Sequence, residues 1–265
     1  MNSTVTCVQC YLLQAINCMH AIDIPEDEQL ACVYALMDEV KNFNTQDSPA
    51  KNSSLALLDI YRRIGNCDPF AKAKADSNQL ALSLYPALEE EIHKAQDPLY
   101  TAFRIAVAGN VIDLGIQKSF DIHQALAQAL QEGFAIDHYQ AFCRRMDESD
   151  EVVILADNAG EIVFDKILVQ QLRQKGKQVV YIVKSSPILN DATRKDAEDV
   201  GMDKLARIVE SGSPFMGTHL DDVSPACAAI VKQAKLILSK GQANFESLEQ
   251  ESCLWGNIFL LLKIK

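Results

Sequence analysis

Several side chains that could do chemistry stand together in the stretch Asp157-Asn158-Ala159-Gly160-Glu161. The stretch follows a run of branched apolar residues and precedes an amphipathic segment, so it is expected where a buried strand turns into a helix. A helix start needs a cap, but it does not need two adjacent oxygen donors and a glycine. Helix capping by Asp157 or Asn158 and a ligand-binding site are therefore the two interpretations of this motif.

Polar motifs also follow the next three apolar runs of the chain. In open parallel sheets, ligands bind outside the carboxyl ends of the strands. If the four runs are parallel strands, their motifs emerge at one edge of the sheet and form a shared site. The three further motifs are Lys184 with Asn190-Asp191-Ala192-Thr193, Ser211-Gly212 with Gly217-Thr218, and Lys240-Gly241 with Asn244.

The residue types at this edge favour a cation and a phosphate. Asp157, Asn158 and Asp191 offer hard oxygen ligands that suit Mg²⁺, Mn²⁺ or a similar divalent ion. Lys240, with Lys184 as a second candidate, supplies positive charge, and the glycines allow exposed backbone N–H groups. Taken singly, Asp191 could cap a helix and Lys240 could be a solvated surface lysine. No Gly-x-Gly-x-x-Gly motif and no P-loop motif occurs at the first strand, which disfavours a dinucleotide site.

The elements that must position these residues differ between the two halves of the chain. Residues 1–147 have apolar positions at helical spacing, which predicts a helical N-terminal region. Residues 148–265 alternate short branched apolar runs with helical stretches, which predicts an α/β domain with a mostly parallel sheet covered on both faces. The predicted strands are 151–156, 178–183, 206–210, 235–239 and 257–264.

Composition excludes some classes of function. The chain has 265 residues, of which 48% are hydrophobic, so it can bury a large core in one large or two modest domains. A formal net charge of −11 argues against a nucleic-acid-binding surface. Neither a membrane-spanning run nor a signal peptide is found, so no membrane partner and a cytoplasmic location are expected.

The cysteines do not predict a disulfide framework. Eight cysteines are scattered through a chain with a full hydrophobic core. Only Cys7-Val8-Gln9-Cys10 has a spacing that suits a metal or a redox pair, and helix packing is the alternative interpretation.

Taken in order, these motifs resemble the damage-control metal-dependent phosphatases, the ARMT1-like family, in its branch with an N-terminal Cys-x-x-Cys. The resemblance covers nearly the whole chain, because Asp68-Pro69-Phe70 and Asp97-Pro98-Leu99 also match. It implies a helical region packed against a Rossmann-like three-layer α/β/α domain. It also implies a divalent metal (Mn, Mg, Co or Ni) on Asp157, Asn158 and Asp191, with Lys240 holding the phosphate.

The function implied by the resemblance is metal-dependent hydrolysis of a phosphomonoester of a small metabolite, in metabolite damage control. The substrate would be a sugar phosphate or a phosphorylated cofactor fragment. Either a metal-activated water or Asp157 could be the nucleophile, and Glu161 is either a general base or a partner of the helix dipole. The expected catalytic residues are Asp157, Asn158, Asp191 and Lys240, and the expected substrate-binding residues are Asn110, Asp113, Lys184, Ser211, Gly212, Gly217, Thr218, Gly241 and Asn244. For Asp113, packing is an equal alternative.

Departures from the family pattern leave two alternative functions. Ala243 stands where the family usually has Gly, Met216 stands where it usually has Pro, and the family usually continues beyond the last predicted strand. A non-catalytic protein that binds a metal and a phosphorylated metabolite is the first alternative. An S-adenosylmethionine-dependent methyltransferase is the second, although the Gly-rich turn expected for that cofactor is missing.

Overall fold

The computed structural model describes residues 1–109 and 133–263. The predicted substrate-binding residues Asn110 and Asp113 lie outside the described residues. Among the described residues, the helices of the N-terminal half are α1 Val5–His20, α2 Glu26–Val40, α3 Pro49–Ile64, α4 Ala71–Lys94, α5 Pro98–Ala108 and α6 Tyr139–Asp147. In the described part of the chain, no helix combines the length and the apolar character needed to cross a bilayer.

Two of these helices begin with a capping side chain followed by proline. The Ser48 side chain accepts a hydrogen bond from the Lys51 backbone N–H, and Pro49 occupies the first turn of α3. Asp97 accepts in the same way from Tyr100, with Pro98 in the first turn of α5. A cap followed by proline suits a helix start, because the proline removes an N–H group that would have no partner there.

The C-terminal half forms a five-stranded sheet in which all neighbouring strands are parallel. The strand order is β3-β2-β1-β4-β5, so the chain moves outward in one direction from β1 to β3 and then crosses to the other side of β1. The strands are β1 Glu151–Leu155, β2 Gln178–Val183, β3 Arg207–Glu210, β4 Ile237–Lys240 and β5 Ile258–Leu261. Ligands bind in such sheets where the order reverses, which here is between β1 and β4.

Helices cover both faces of the sheet. On one face Val152 and Ile154 pack in a cluster with residues of α4, α5, α6 and the helix α7 Glu161–Gln174. On the other face Val153 and Leu155 pack with residues of the helix α9 Pro225–Gln233. The remaining helices of this half are α8 Arg194–Asp199 and α10 Gln242–Leu248. The predicted α/β class with a parallel sheet is confirmed, and one core joins the two halves of the chain.

Of the predicted strands, only 178–183 has the observed ends, and the first and third strands are each one residue shorter than predicted. The fourth strand was expected at 235–239 but runs from Ile237 to Lys240, where Lys240 pairs with Leu261 of β5. Lys240 therefore ends the strand instead of following it. The last strand spans Ile258–Leu261, and residue 264 of the predicted range lies outside the described residues.

All eight cysteines are free. The Cys7 sulfur accepts a hydrogen bond from the Thr4 backbone N–H at 3.3 Å, so it helps to cap α1. Cys7 is half-buried against the cluster formed by α1, α2 and α3, while Cys10 is exposed. Cys7 therefore has the contacts of a residue that packs and caps a helix. A metal or redox role of Cys7 and Cys10 stays a prediction.

Candidate active site

The motifs after β1 and β2 meet at the carboxyl edge of the sheet. Asn158 forms an isolated antiparallel bridge with Asp191. The Ala159 N–H donates to the Asn190 carbonyl, and the Ala192 N–H donates to the Asp157 carbonyl, each at 2.8 Å. Backbone hydrogen bonds therefore hold the two loops side by side, with Asp157, Asn158 and Asp191 all buried.

The residue that follows β4 packs against the carboxylate of Asp157. Gly241 has φ +78°, and a Cβ atom at this position would overlap the side chain of Asp157. The backbone after β4 can therefore approach Asp157 only because residue 241 is glycine. The predicted convergence of the motifs after β1, β2 and β4 is observed.

Gly241→Ala tests this close approach. We expect the variant to lose about 3 kcal/mol of unfolding free energy, because it combines a left-handed backbone with overlap of buried atoms. Gly176→Ala is the matched control, since Gly176 has φ +79° but nothing within 4 Å of its added Cβ. Chemical denaturation of both variants measures the difference, and equal losses would show that overlap with Asp157 costs nothing.

Negative charge accumulates around Asp157. Burial raises the pKa of Asp157 well above its usual value, and the carboxylates of Glu161 and Asp191 raise it further. Lys240 and Lys184 offset only part of this effect. The site as it stands therefore favours an additional positive charge.

Lys184 lies at the side of Asp191. Its buried ammonium donates to the Gly217 carbonyl and lies 3.7 Å from Asp191 Oδ2. Gly217 has φ +74°, and a Cβ atom there would overlap the carbonyl oxygen of Ala243. The loop after β3 is thereby packed between Lys184 and α10, as the order of the motifs predicts.

In the part of the chain that the structure describes, Lys240 forms ion pairs with carboxylates of the helix α7 and not with Asp157 or Asp191. Its fully buried ammonium contacts the carboxylates of Glu161 and Asp165, the latter at 2.7 Å, and donates to the Ala106 carbonyl at 3.3 Å. An ammonium group has three N–H donors, and each of these acceptors can take one. A direct contact between Lys240 and a phosphate would require the release of one of them, so that role stays a prediction.

Asp165 and Tyr181 complete this buried network, and the sequence reasoning missed both. The Tyr181 hydroxyl donates to Asp165 Oδ2 at 2.6 Å, and both residues are fully buried. The spacing of four residues from Glu161 to Asp165 places both carboxylates on one face of α7, which is the signal that could have revealed the pair. Glu161, predicted as a base or a dipole partner, is an ion-pair partner of Lys240.

Asn244 and the loop after β3 connect the strand ends. The Asn244 amide nitrogen donates to the carbonyls of Ala156 at 3.0 Å and Lys240 at 2.8 Å, and its oxygen accepts from the Thr218 hydroxyl at 2.7 Å. These bonds are internal to the protein, so Asn244 and Thr218 brace the ends of β1 and β4. In the same loop Ser211 Oγ donates to the Ser213 carbonyl at 3.3 Å, and the Gly212 N–H donates to Ser185 Oγ.

The donor set fits a hard divalent cation that also takes ligands from water or substrate. Two carboxylates and one amide oxygen are available from Asp157, Asp191 and Asn158, whose amide nitrogen donates to Asp157 Oδ2 at 3.2 Å. No group of three or more His, Cys, Asp or Glu side chains within residues 1–109 and 133–263 is arranged to hold a metal. A metal bound by Asp157 and Asp191 would therefore also take the amide oxygen of Asn158 as a ligand.

Comparison with known proteins agrees with the order of these motifs. The family model for the damage-control phosphatase ARMT1-like domain matches residues 3–265. The chain belongs to the ARMT1-like damage-control phosphatase family. Phosphatase activity with a role in metabolite damage control is the function that this membership supports.

Relatives of this ARMT1-like chain match it over most of their length. A damage-control phosphatase of Pyrococcus horikoshii is 29% identical and covers 97% of this chain and 90% of that protein. A damage-control phosphatase of Archaeoglobus fulgidus is 30% identical and covers 86% of this chain and 82% of that protein. The crystal structure of a DUF89 family protein from Pyrococcus horikoshii superposes with a TM-score of 0.91 at 27% identity, covering 99% of this chain and 92% of that one.

Proposed function

We propose that this phosphatase hydrolyses phosphomonoesters of small metabolites and requires a divalent cation held by Asp157, Asn158 and Asp191. The observation that carries the proposal is the junction of these residues at the reversal of strand order, with Gly241 against the Asp157 carboxylate. Sugar phosphates and phosphorylated cofactor fragments are the proposed substrates. The raised pKa of Asp157, which is buried close to the carboxylates of Glu161 and Asp191, supports a bound cation at this point.

The cation would be Mn²⁺, Mg²⁺, Co²⁺ or Ni²⁺, all of which accept carboxylate and amide oxygens. When bound, it would neutralise phosphoryl charge and lower the pKa of a water molecule. The attacking group is this water or the carboxylate of Asp157. Asp157 must be ionised whichever of these groups attacks, and a bound cation would favour its ionised form.

Lys184 is the proposed cationic contact for the phosphoryl group. Its ammonium donates one hydrogen bond to the Gly217 carbonyl and lies 3.7 Å from Asp191 Oδ2. Because an ammonium group has three N–H donors, Lys184 can also donate to a phosphoryl oxygen. Backbone N–H groups of the glycine-rich loop after β3 would hold further phosphoryl oxygens. Lys240 is proposed to balance the charge of Glu161 and Asp165 beneath the site.

Phosphate release tests the proposal. Metal-stripped protein is resupplied separately with each of the four cations and offered a panel of small phosphomonoesters. We expect release only with added cation, and we expect Asp191→Ala to reduce it by roughly 10²-fold or more. Asp199→Ala is the matched control, because Asp199 is exposed at the end of α8. Metal binding without release from any ester would contradict the proposal and favour a non-catalytic binding protein.

A further inference from the structure

One helix of the N-terminal half contacts both loops of the candidate site. Asn78 of α4 is buried, and its Oδ1 accepts a hydrogen bond from the Gly160 backbone N–H at 2.6 Å. Its Nδ2 donates to Asp196 Oδ1 at 3.4 Å. Gly160 lies two residues after Asn158, and Asp196 lies five residues after Asp191. A single amide side chain thus connects the segment after β1 with the segment after β2.

Asp196 transmits this contact to the Asp191 loop. Its Oδ2 accepts hydrogen bonds from the Thr193 backbone N–H at 2.9 Å and the Thr193 hydroxyl at 2.6 Å, and these bonds begin α8. Lys74, one turn before Asn78 on α4, lies 3.6 Å from the same oxygen and 3.0 Å from Asp68 Oδ2. The start of α8 is therefore held to α4 by an amide and by an ammonium.

The approach of α4 to Gly160 is close. Gly160 has φ +77°, and a Cβ atom at this position would lie 3.1 Å from the Ser77 side chain. Gly160 is buried, and its N–H group donates to Asn78 Oδ1. A buried N–H group without an acceptor costs free energy, so loss of the acceptor favours a rearrangement of the backbone.

We propose that Asn78 is a positioning residue that fixes the Asp157–Asn158 loop relative to the Asp191 loop. The consequence for metal binding rests on the proposed function, whereas the mechanical coupling of the loops does not. Asn78 acts on the oxygen ligands through the backbone, because within residues 1–109 and 133–263 its side chain hydrogen-bonds to Gly160 and Asp196 and to none of the three ligands. Outer partners of this kind typically change metal affinity 10–100-fold when they are removed.

Amide hydrogen exchange of the metal-free protein tests the coupling. In Asn78→Ala we expect exchange at least about tenfold faster in peptides covering residues 156–162 and 188–196, with the centre of the sheet unchanged. Gln79→Ala is the matched control, because Gln79 is the exposed neighbour on the same helix. Unchanged exchange in both peptides, or an increase spread over the whole chain, would overturn the proposal.

Asn78→Asp distinguishes the contact with Gly160 from the contact with Asp196. It also replaces the alanine variant as the test if that variant does not fold. The carboxylate can still accept from Gly160, but it cannot donate to Asp196. We expect faster exchange in residues 188–196 only, while 156–162 stay protected. No change in residues 188–196 would show that the contact with Asp196 does not hold the Asp191 loop, and would overturn the proposal.

Mn²⁺ titration by calorimetry separates this inference from the proposed function. We expect Asn78→Ala to bind Mn²⁺ about tenfold more weakly than the wild type, and Gln79→Ala to bind equally well. Equal affinity in Asn78→Ala would overturn the positioning role. If the wild type binds no Mn²⁺, the proposed metal site fails, and the exchange result still decides the coupling.

Discussion

Replacing Asp157 by Ala is expected to reduce metal-dependent phosphate release by roughly 10³-fold. The side chain lies where β1, the Asp191 loop and Gly241 meet, so its removal takes a carboxylate out of the centre of the proposed site. The same substitution should weaken Mn²⁺ binding. Steady-state kinetics on the best ester of the panel and calorimetric titration with Mn²⁺ measure the two effects.

Two further variants isolate the cause of the loss at Asp157. Asp157→Asn keeps the size of the side chain but removes its charge, and we expect a loss close to that of the alanine variant. Asp76→Ala removes an exposed carboxylate of α4 and should leave both activity and metal affinity unchanged. Phosphate release by Asp157→Ala within tenfold of the wild type would refute a role for this carboxylate in catalysis.

Replacing Lys240 by Met is expected to lower the free energy of unfolding by about 3–5 kcal/mol. The ammonium is fully buried between Glu161 and Asp165, and its removal leaves two buried carboxylates without their cation. Methionine fills most of the volume of lysine, so the loss reports on charge and not on a cavity. Urea denaturation at pH 7 measures the difference.

The exposed Lys235 provides the control, since Lys235→Met should change stability by less than about 0.5 kcal/mol. Burial alone would lower the pKa of Lys240, but Asp165 and Glu161 outweigh it and raise that pKa above the ordinary 10.5. Stability from a raised lysine pKa is complete below the unfolded value and is lost as pH rises through the folded one. Lys240 therefore contributes its full stabilisation at pH 7, where the two proteins are compared. A loss below about 1 kcal/mol would contradict the buried ion-pair account.

The sheet and the edge that carries the site could be predicted because their signals are local. Runs such as 151–155 and 178–183 combine branched apolar residues with a following polar motif, and parallel pairing places all such motifs at one edge. Asp157, Asn158 and Asp191 could therefore be grouped before any contact between them was known. The family to which the chain belongs was predicted from the same ordered set.

The partners of Lys240 and the contribution of Asn78 could not be predicted, because they depend on contacts between distant parts of the chain. Gly160 and Asn78 are 82 positions apart, and Lys240 is 79 positions from Glu161. Neither pairing has a periodic signal in the sequence. A lysine after an apolar run is typical of a ligand-binding edge, and only packing shows that Lys240 ends a strand and turns towards α7.

Anomalous X-ray diffraction from crystals soaked in Mn²⁺ tests whether Asp157, Asn158 and Asp191 hold a divalent cation. We predict one strong anomalous peak among the side-chain oxygens of these three residues, absent in crystals of Asp157→Ala. A peak at another position, such as Cys7 and Cys10, with none at the edge of the sheet, would rule out a metal site on these three residues.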